Sequence, residues 1–172
     1  MQLSSPTKVR TPRGFKPVRG LSLVTTIEEP QFARTNGNVK GAKRRGLLYQ
    51  EKVVEVLDQQ LGPYCEGIPG LWFEFVDFSG HRYAQSDWVS FDLKRGLITI
   101  AEIKLSRVPL AWWQLNRLYG PLVQKLFPDW KIAYLEVARS PVNVAVPEEV
   151  KVVQRLDQAK PGCTSFMMVK DA

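Results

Sequence analysis

Four acid-x-Lys tripeptides occur in this chain: Asp92-Leu-Lys94, Glu102-Ile-Lys104, Asp129-Trp-Lys131 and Glu149-Val-Lys151. With 17 acids among 172 residues, about one such match is expected by chance, so context must separate them. Asp92 and Lys94 fall in a polar turn, Asp129 and Lys131 straddle the end of a loop, and Glu149 and Lys151 sit in a charged stretch. Only Glu102 and Lys104 are set within an apolar strand, "ITIAEIKLS". If "LKRG" (93–96) is a four-residue hairpin loop, Asp92 faces Leu97 and Asp87 faces Glu102. Two carboxylates directly opposed lie about 5 Å apart at Cβ and repel, which calls for a cation. Lys104 projects from the same face about 6.7 Å further along. A three-residue loop would put Asp87 on the other face. Oxygen ligands without clustered His or Cys suit Mg2+ or Mn2+ rather than zinc. Such an ion activates water and clamps a phosphoryl oxygen, while an adjacent lysine orients or deprotonates the water or neutralises developing charge. The chemistry implied is phosphodiester hydrolysis.

The elements that would position these groups follow from periodicity. "GLLYQEKVVEVLDQQLGP", from Gly46, has helical spacing, with Leu47, Gln50, Val54, Leu57 and Leu61 on one stripe and Gly62-Pro63 ending it. Glu51 falls at the edge of that stripe. "LWFEFVDF" (71–78), residues 82–92 and residues 97–105 read as a three-stranded antiparallel meander. Pro109 opens a second helix with Trp112, Leu115, Tyr119, Leu122 and Leu126 as its apolar stripe, kinked at Gly120-Pro121. "WKIAYLEVA" (130–138) is a strand for which that helix is the crossover. Residues 147–158 fit a short helix or a strand, and "TSFMMVK" a last strand. The order helix, three strands, helix, strand defines an α/β domain with a mixed central sheet flanked by helices.

These residues resemble the PD-(D/E)XK nuclease superfamily, which includes restriction-type, recombination and phage nucleases. The family pattern is a helix carrying an acid, a hairpin bearing Asp and then Glu-x-Lys, and a following helix. Here Glu51, Asp87 in "QSDWV", and Glu102 with Lys104 in "AEIK" stand in that order, over about residues 46–138. The resemblance implies a restriction-endonuclease-like core and a Mg2+-dependent deoxyribonuclease, with Mn2+ as substitute metal and duplex DNA as substrate. It implies Asp87, Glu102 and the Ile103 carbonyl as metal ligands, Glu51 as an assisting ligand, and Lys104 serving the nucleophile. Ser86 stands where the family often has proline. Recombination-type relatives carry Gln-x-x-x-Tyr in the second helix. Here Leu118 takes that spacing from Gln114, and Tyr119 comes one residue later. Helical geometry puts Gln114 off the apolar stripe, as a site candidate, and Tyr119 on it, as core.

Charge is unevenly placed. Residues 1–45 carry ten Lys/Arg against two Asp/Glu, a net +8, and the remainder is close to neutral. Residues 1–45 therefore read as a basic extended arm without a core element, and 46–172 as the nuclease-like domain, which should fold without the arm. The arm suits phosphates or an acidic partner, a solvated tail, or, less well given its prolines, a transit peptide. Lys43, Arg44 and Arg45 are candidate phosphate contacts. Of the remaining aromatic and imidazole groups, Trp112 reads as core. Trp113 falls off the stripe, free to meet a base or a protein, and the single histidine, His81, lies in a turn without partners. Two distant cysteines, no apolar run near membrane length and no apolar leader fit a reducing interior, and the resemblance implies that of a bacterial or phage-infected cell, or a virion. The second function class is a non-catalytic assembly protein of a phage particle or DNA-processing complex, acting through its arm. RNA processing is a third.

Overall fold

The computed structural model describes residues 9–33 and 39–170. A six-stranded mixed sheet organises them. Its strands are β2 (Cys65–Pro69), β5 (Trp88–Asp92), β6 (Leu97–Lys104), β7 (Lys131–Ala138), β8 (Lys151–Val153) and β9 (Thr164–Met168), in the order β2-β5-β6-β7-β9-β8. The β2, β5 and β6 edges are antiparallel, whereas β6, β7, β9 and β8 run parallel. β6 is buried along all but its last residue, as a central strand with both faces covered must be. A second sheet of three strands holds β1 (Leu23–Ile27), β3 (Trp72–Asp77) and β4 (Gly80–Gln85) in the order β1-β3-β4.

The faces of β6 alternate with the two-residue strand period. Ala101 and Ile103 join Tyr49, Val53 and Leu57 of helix α1 (Gly41–Gln59) in one core cluster. Ile98 and Ile100 join Leu115, Tyr119 and Leu122 of the crossover helix in the other. Glu102 and Lys104, in phase with Ile98 and Ile100, therefore belong to the crossover-helix face.

That crossover helix has three parts: α2 (Pro109–Gln114), a five-residue π-turn (Leu115–Tyr119) and α3 (Gly120–Leu126). The expected kink at Gly120-Pro121 takes this form for a local reason. Pro121 has no N–H to give the carbonyl of Arg117, four residues back, and its ring crowds that carbonyl. The Val18 N–H takes the vacant place on Arg117 O at 2.8 Å.

Several expectations need correction. Residues 82–92 are two strands in two sheets, β4 and β5, parted at Ser86 and Asp87. The expected meander is thus one hairpin from each sheet, and β2 pairs with β5 without having been foreseen. The first helix begins at Gly41, and its buried face is Tyr49, Val53 and Leu57, with Leu47 43% exposed. The basic segment is only partly an arm. Residues 23–27 pair with β3 as β1, and Val18, Leu21 and Val24 pack on the core. Arg82 holds the segment ahead of β1, with Nη2 donating to Lys16 O and Nη1 to Asp77 Oδ2, both at 2.7 Å. Trp113 meets Phe15 of the same segment at 6.2 Å between ring centroids. No helix among the described residues is long and apolar enough to cross a membrane.

Candidate active site

The β5–β6 hairpin sets the first two groups. Its turn, 93–96, is fastened by the Arg95 N–H donating to Asp92 Oδ1 at 3.0 Å. Gly96 closes it at φ +59°, a conformation that disfavours any side chain. The register is Asp92↔Leu97 through Trp88↔Ala101, so the four-residue loop holds, and Asp87 is the bend residue just outside the last pair. The Ile103 N–H donates to Asp87 Oδ2 at 2.7 Å, pinning Asp87 at the point where the chain leaves one sheet for the other. Lys104 Nζ lies 2.5 Å from Glu102 Oε1.

The Glu102 side chain is 1% exposed, and its Oε2 has no hydrogen-bond partner. Burial, and then the charge of Asp87, push its pKa up to about 8 against the pull of Lys104. Burial also raises Asp87, opposed by the Ile103 N–H and by Lys104. For Lys104, burial opposes the charge, but Glu102 and Asp87 outweigh it and the ammonium is retained. Two carboxylates and one ammonium leave the cluster one positive charge short. A proton on Glu102 or a further cation fills the deficit. Two hard carboxylates with an unpartnered buried oxygen fit Mg2+ or Mn2+, which take one or two protein carboxylates and complete their shell with water and phosphate oxygens. Among the described residues, no group of three or more His, Cys, Asp or Glu is placed to hold a metal.

Glu51 does not join this group. It is exposed on α1, two residues from the fully buried Val53 and so roughly 200° around the helix from it. Moreover, α1 packs on the Ala101/Ile103 face, across the sheet from Glu102. The expected stripe was misphased because Leu47 is exposed and Tyr49 takes its place. Ile103 is at the site, through its N–H.

Gln114 and Tyr119 come together unexpectedly. Five residues apart on an α-helix they would diverge by roughly 140°. The π-turn bonds i to i+5 and returns them to one side. The Tyr119 hydroxyl donates to Gln85 O at 2.6 Å, two residues before Asp87. Burial raises its pKa well above the ordinary value, as do Glu102 and Asp87, while the Gln114 side chain lowers it. Gln114 Oε1 is buried without a partner. Tyr119 is therefore core, as its stripe implied, and also borders the carboxylates.

Sequence reasoning missed Glu136 and Arg107. Glu136 is the register partner of Glu102 on β7 and is 1% exposed. Arg107, in the turn after β6, donates from Nη2 to Glu136 Oε2 at 3.0 Å and stacks on Phe166 at 5.3 Å. Burial raises the Glu136 pKa and Arg107 opposes it. Only an in-register parallel alignment of "AEIK" with "YLEVA" could have found the pair. Lys43, Arg44 and Arg45 are exposed on the first turn of α1. His81 lies in β4, bonded to Glu74 at 2.7 Å in the other sheet.

These features define a mixed α/β protein with a carboxylate–lysine cluster at the C-terminal end of its central strand. Comparison with known proteins finds no matching family model, no matching curated protein and no matching solved structure.

Proposed function

We propose that this chain is a metal-dependent nuclease with a restriction-endonuclease-like core, hydrolysing phosphodiester bonds in duplex DNA. The observation that carries the reading is the buried Glu102 carboxylate, one oxygen unpartnered and the other on the Lys104 ammonium, with the charge of Asp87 close enough to act on both. Asp87 and Glu102 would hold Mg2+ or Mn2+, and the ion would supply Lewis-acid stabilisation of a phosphoryl oxygen. Asp87 is held in place by the Ile103 N–H, so its orientation does not depend on substrate. Lys104 stands beside both carboxylates, within reach of a water on the ion they would hold. It orients the attacking water and offsets the negative charge that grows on phosphorus oxygens as the new P–O bond forms and the bond to the leaving sugar oxygen breaks. Gln114, with its unpartnered oxygen, is available to a water or to substrate.

The test is incubation of the full chain with supercoiled plasmid, linear duplex and single-stranded DNA, in Mg2+ or in EDTA. Cleavage in Mg2+, absent in EDTA and absent from folded Glu102→Ala and Lys104→Ala, is expected. Wild-type inactivity on every substrate, or undiminished cleavage by either variant at equal folded concentration, would overturn the reading.

A further inference from the structure

A groove of 660 Å³ opens at the C-terminal ends of β6, β7 and β9, beside the N-terminal half of α1. Among the described residues that line it, four are cations, Arg45, Lys52, Arg139 and Lys170, and none is acidic. They come from three separate parts of the chain, so no charge run in the sequence announces them. All four are exposed, and none forms an ion pair with a described residue. Four unpaired cations from three parts of the chain, held around one concavity, are what a polyanion track requires. Leu105 and Ser106, on the groove wall, directly follow Lys104. The groove therefore lies at the end of the strand that carries Glu102 and Lys104, on its α1 face and so across the sheet from those two side chains.

We propose that this groove binds the sugar–phosphate backbone of the nucleic acid on the α1 face of the sheet, the strand crossing the C-terminal edge of β6 to reach the Asp87–Glu102–Lys104 site on the other face. The identity of the polyanion rests on the nuclease reading, whereas the binding itself needs neither metal nor hydrolysis. Tyr49 lines the groove but is 5% exposed, with its hydroxyl donating to Val169 O at 2.9 Å. Among the described residues no aromatic face is thus offered for base stacking, and the contact is with phosphates and is indifferent to base sequence.

The experiment is fluorescence anisotropy of the full chain with a labelled duplex and a labelled single strand, in EDTA, at several KCl concentrations. The variant Lys52→Gln/Arg139→Gln/Lys170→Gln is compared with Lys94→Gln/Lys151→Gln/Lys160→Gln, which removes the same charge from exposed positions elsewhere. Thermal unfolding checks that both are folded. The groove variant should weaken binding on every sequence tested and lower the log–log salt slope by roughly three, and the control by less than about one. Equal slopes for the two variants, or no wild-type binding, would overturn the proposal. A protein that binds through the groove but cleaves nothing would refute the nuclease reading alone. One that cleaves with equal slopes would refute the groove alone.

Discussion

Glu102→Gln isolates the electrostatic cost at the centre of the site. The substitution keeps the shape of the side chain and removes the charge that burial penalises. In the folded protein the Glu102 carboxyl keeps its proton up to about pH 8, against an ordinary value of 4.5. Below the ordinary value both folded and unfolded chains are protonated, and the group has no net effect. As pH rises, the unfolded chain releases its proton first, so folding grows less favourable until the folded pKa is passed. The separation, roughly 3.5 tenfold steps at 1.36 kcal/mol each, gives a full penalty on the order of 5 kcal/mol. Water entry, and the loss of a partner for Lys104 in the variant, reduce what is recovered, so a gain of about 2–5 kcal/mol is expected at about pH 9 and little at pH 5. For a chain of this size that corresponds to a rise in Tm of roughly 4–20 °C. The assay is thermal unfolding followed by circular dichroism in EDTA at both pH values. Mg2+ at a hundred times its Kd should stabilise the wild type by about 2.7 kcal/mol, and the variant far less. A variant no more stabilised at pH 9 than at pH 5 would refute the buried-carboxylate account, and equal stabilisation of both proteins by Mg2+ would refute the metal assignment.

Two further outcomes follow from the packing. Deleting residues 1–27 removes β1, bares the edge of β3 and uncovers the core beneath Val18, Leu21 and Val24. The truncated chain should be destabilised, by less per side chain than the roughly 1.5–3 kcal/mol of full burial because Val18, Leu21 and Val24 are half-buried, and an unchanged denaturant midpoint would show these contacts to be incidental. Arg107→Ala leaves the Glu136 carboxylate, 2% exposed at its side chain, without its cation. A loss of about 3–5 kcal/mol in urea unfolding is expected, and a loss below about 1 kcal/mol would mean that Glu136 is already neutral.

The heart of the site was legible in the sequence because it is local. A four-residue turn ending in Gly96 fixes the register of one hairpin, the strand period puts Glu102 and Lys104 on one face, and Asp87 comes directly before Trp88, the last paired residue of its strand. The crossover helix, its stripe and the parallel strand after it were equally readable, since period and a single connection suffice to define them. Tertiary structure decided everything that depends on which element lies against which. It put α1 on the far face of β6, which takes Glu51 away from the carboxylates, and it aligned Glu136 beside Glu102 through pairing between strands 34 positions apart. It split residues 82–92 between two sheets at the site itself, and it drew residues 23–27 out of a basic segment with no visible core into a strand. Gln114 and Tyr119 lie between the two cases. The sequence holds the cause, a proline that withholds an N–H from Arg117, but the π-turn exists because the crossover helix is pressed against β6 and the Val18 N–H reaches the carbonyl that Pro121 leaves open. Spacing along the chain determines which side chains share a face, and only the packing of distant segments determines what that face meets.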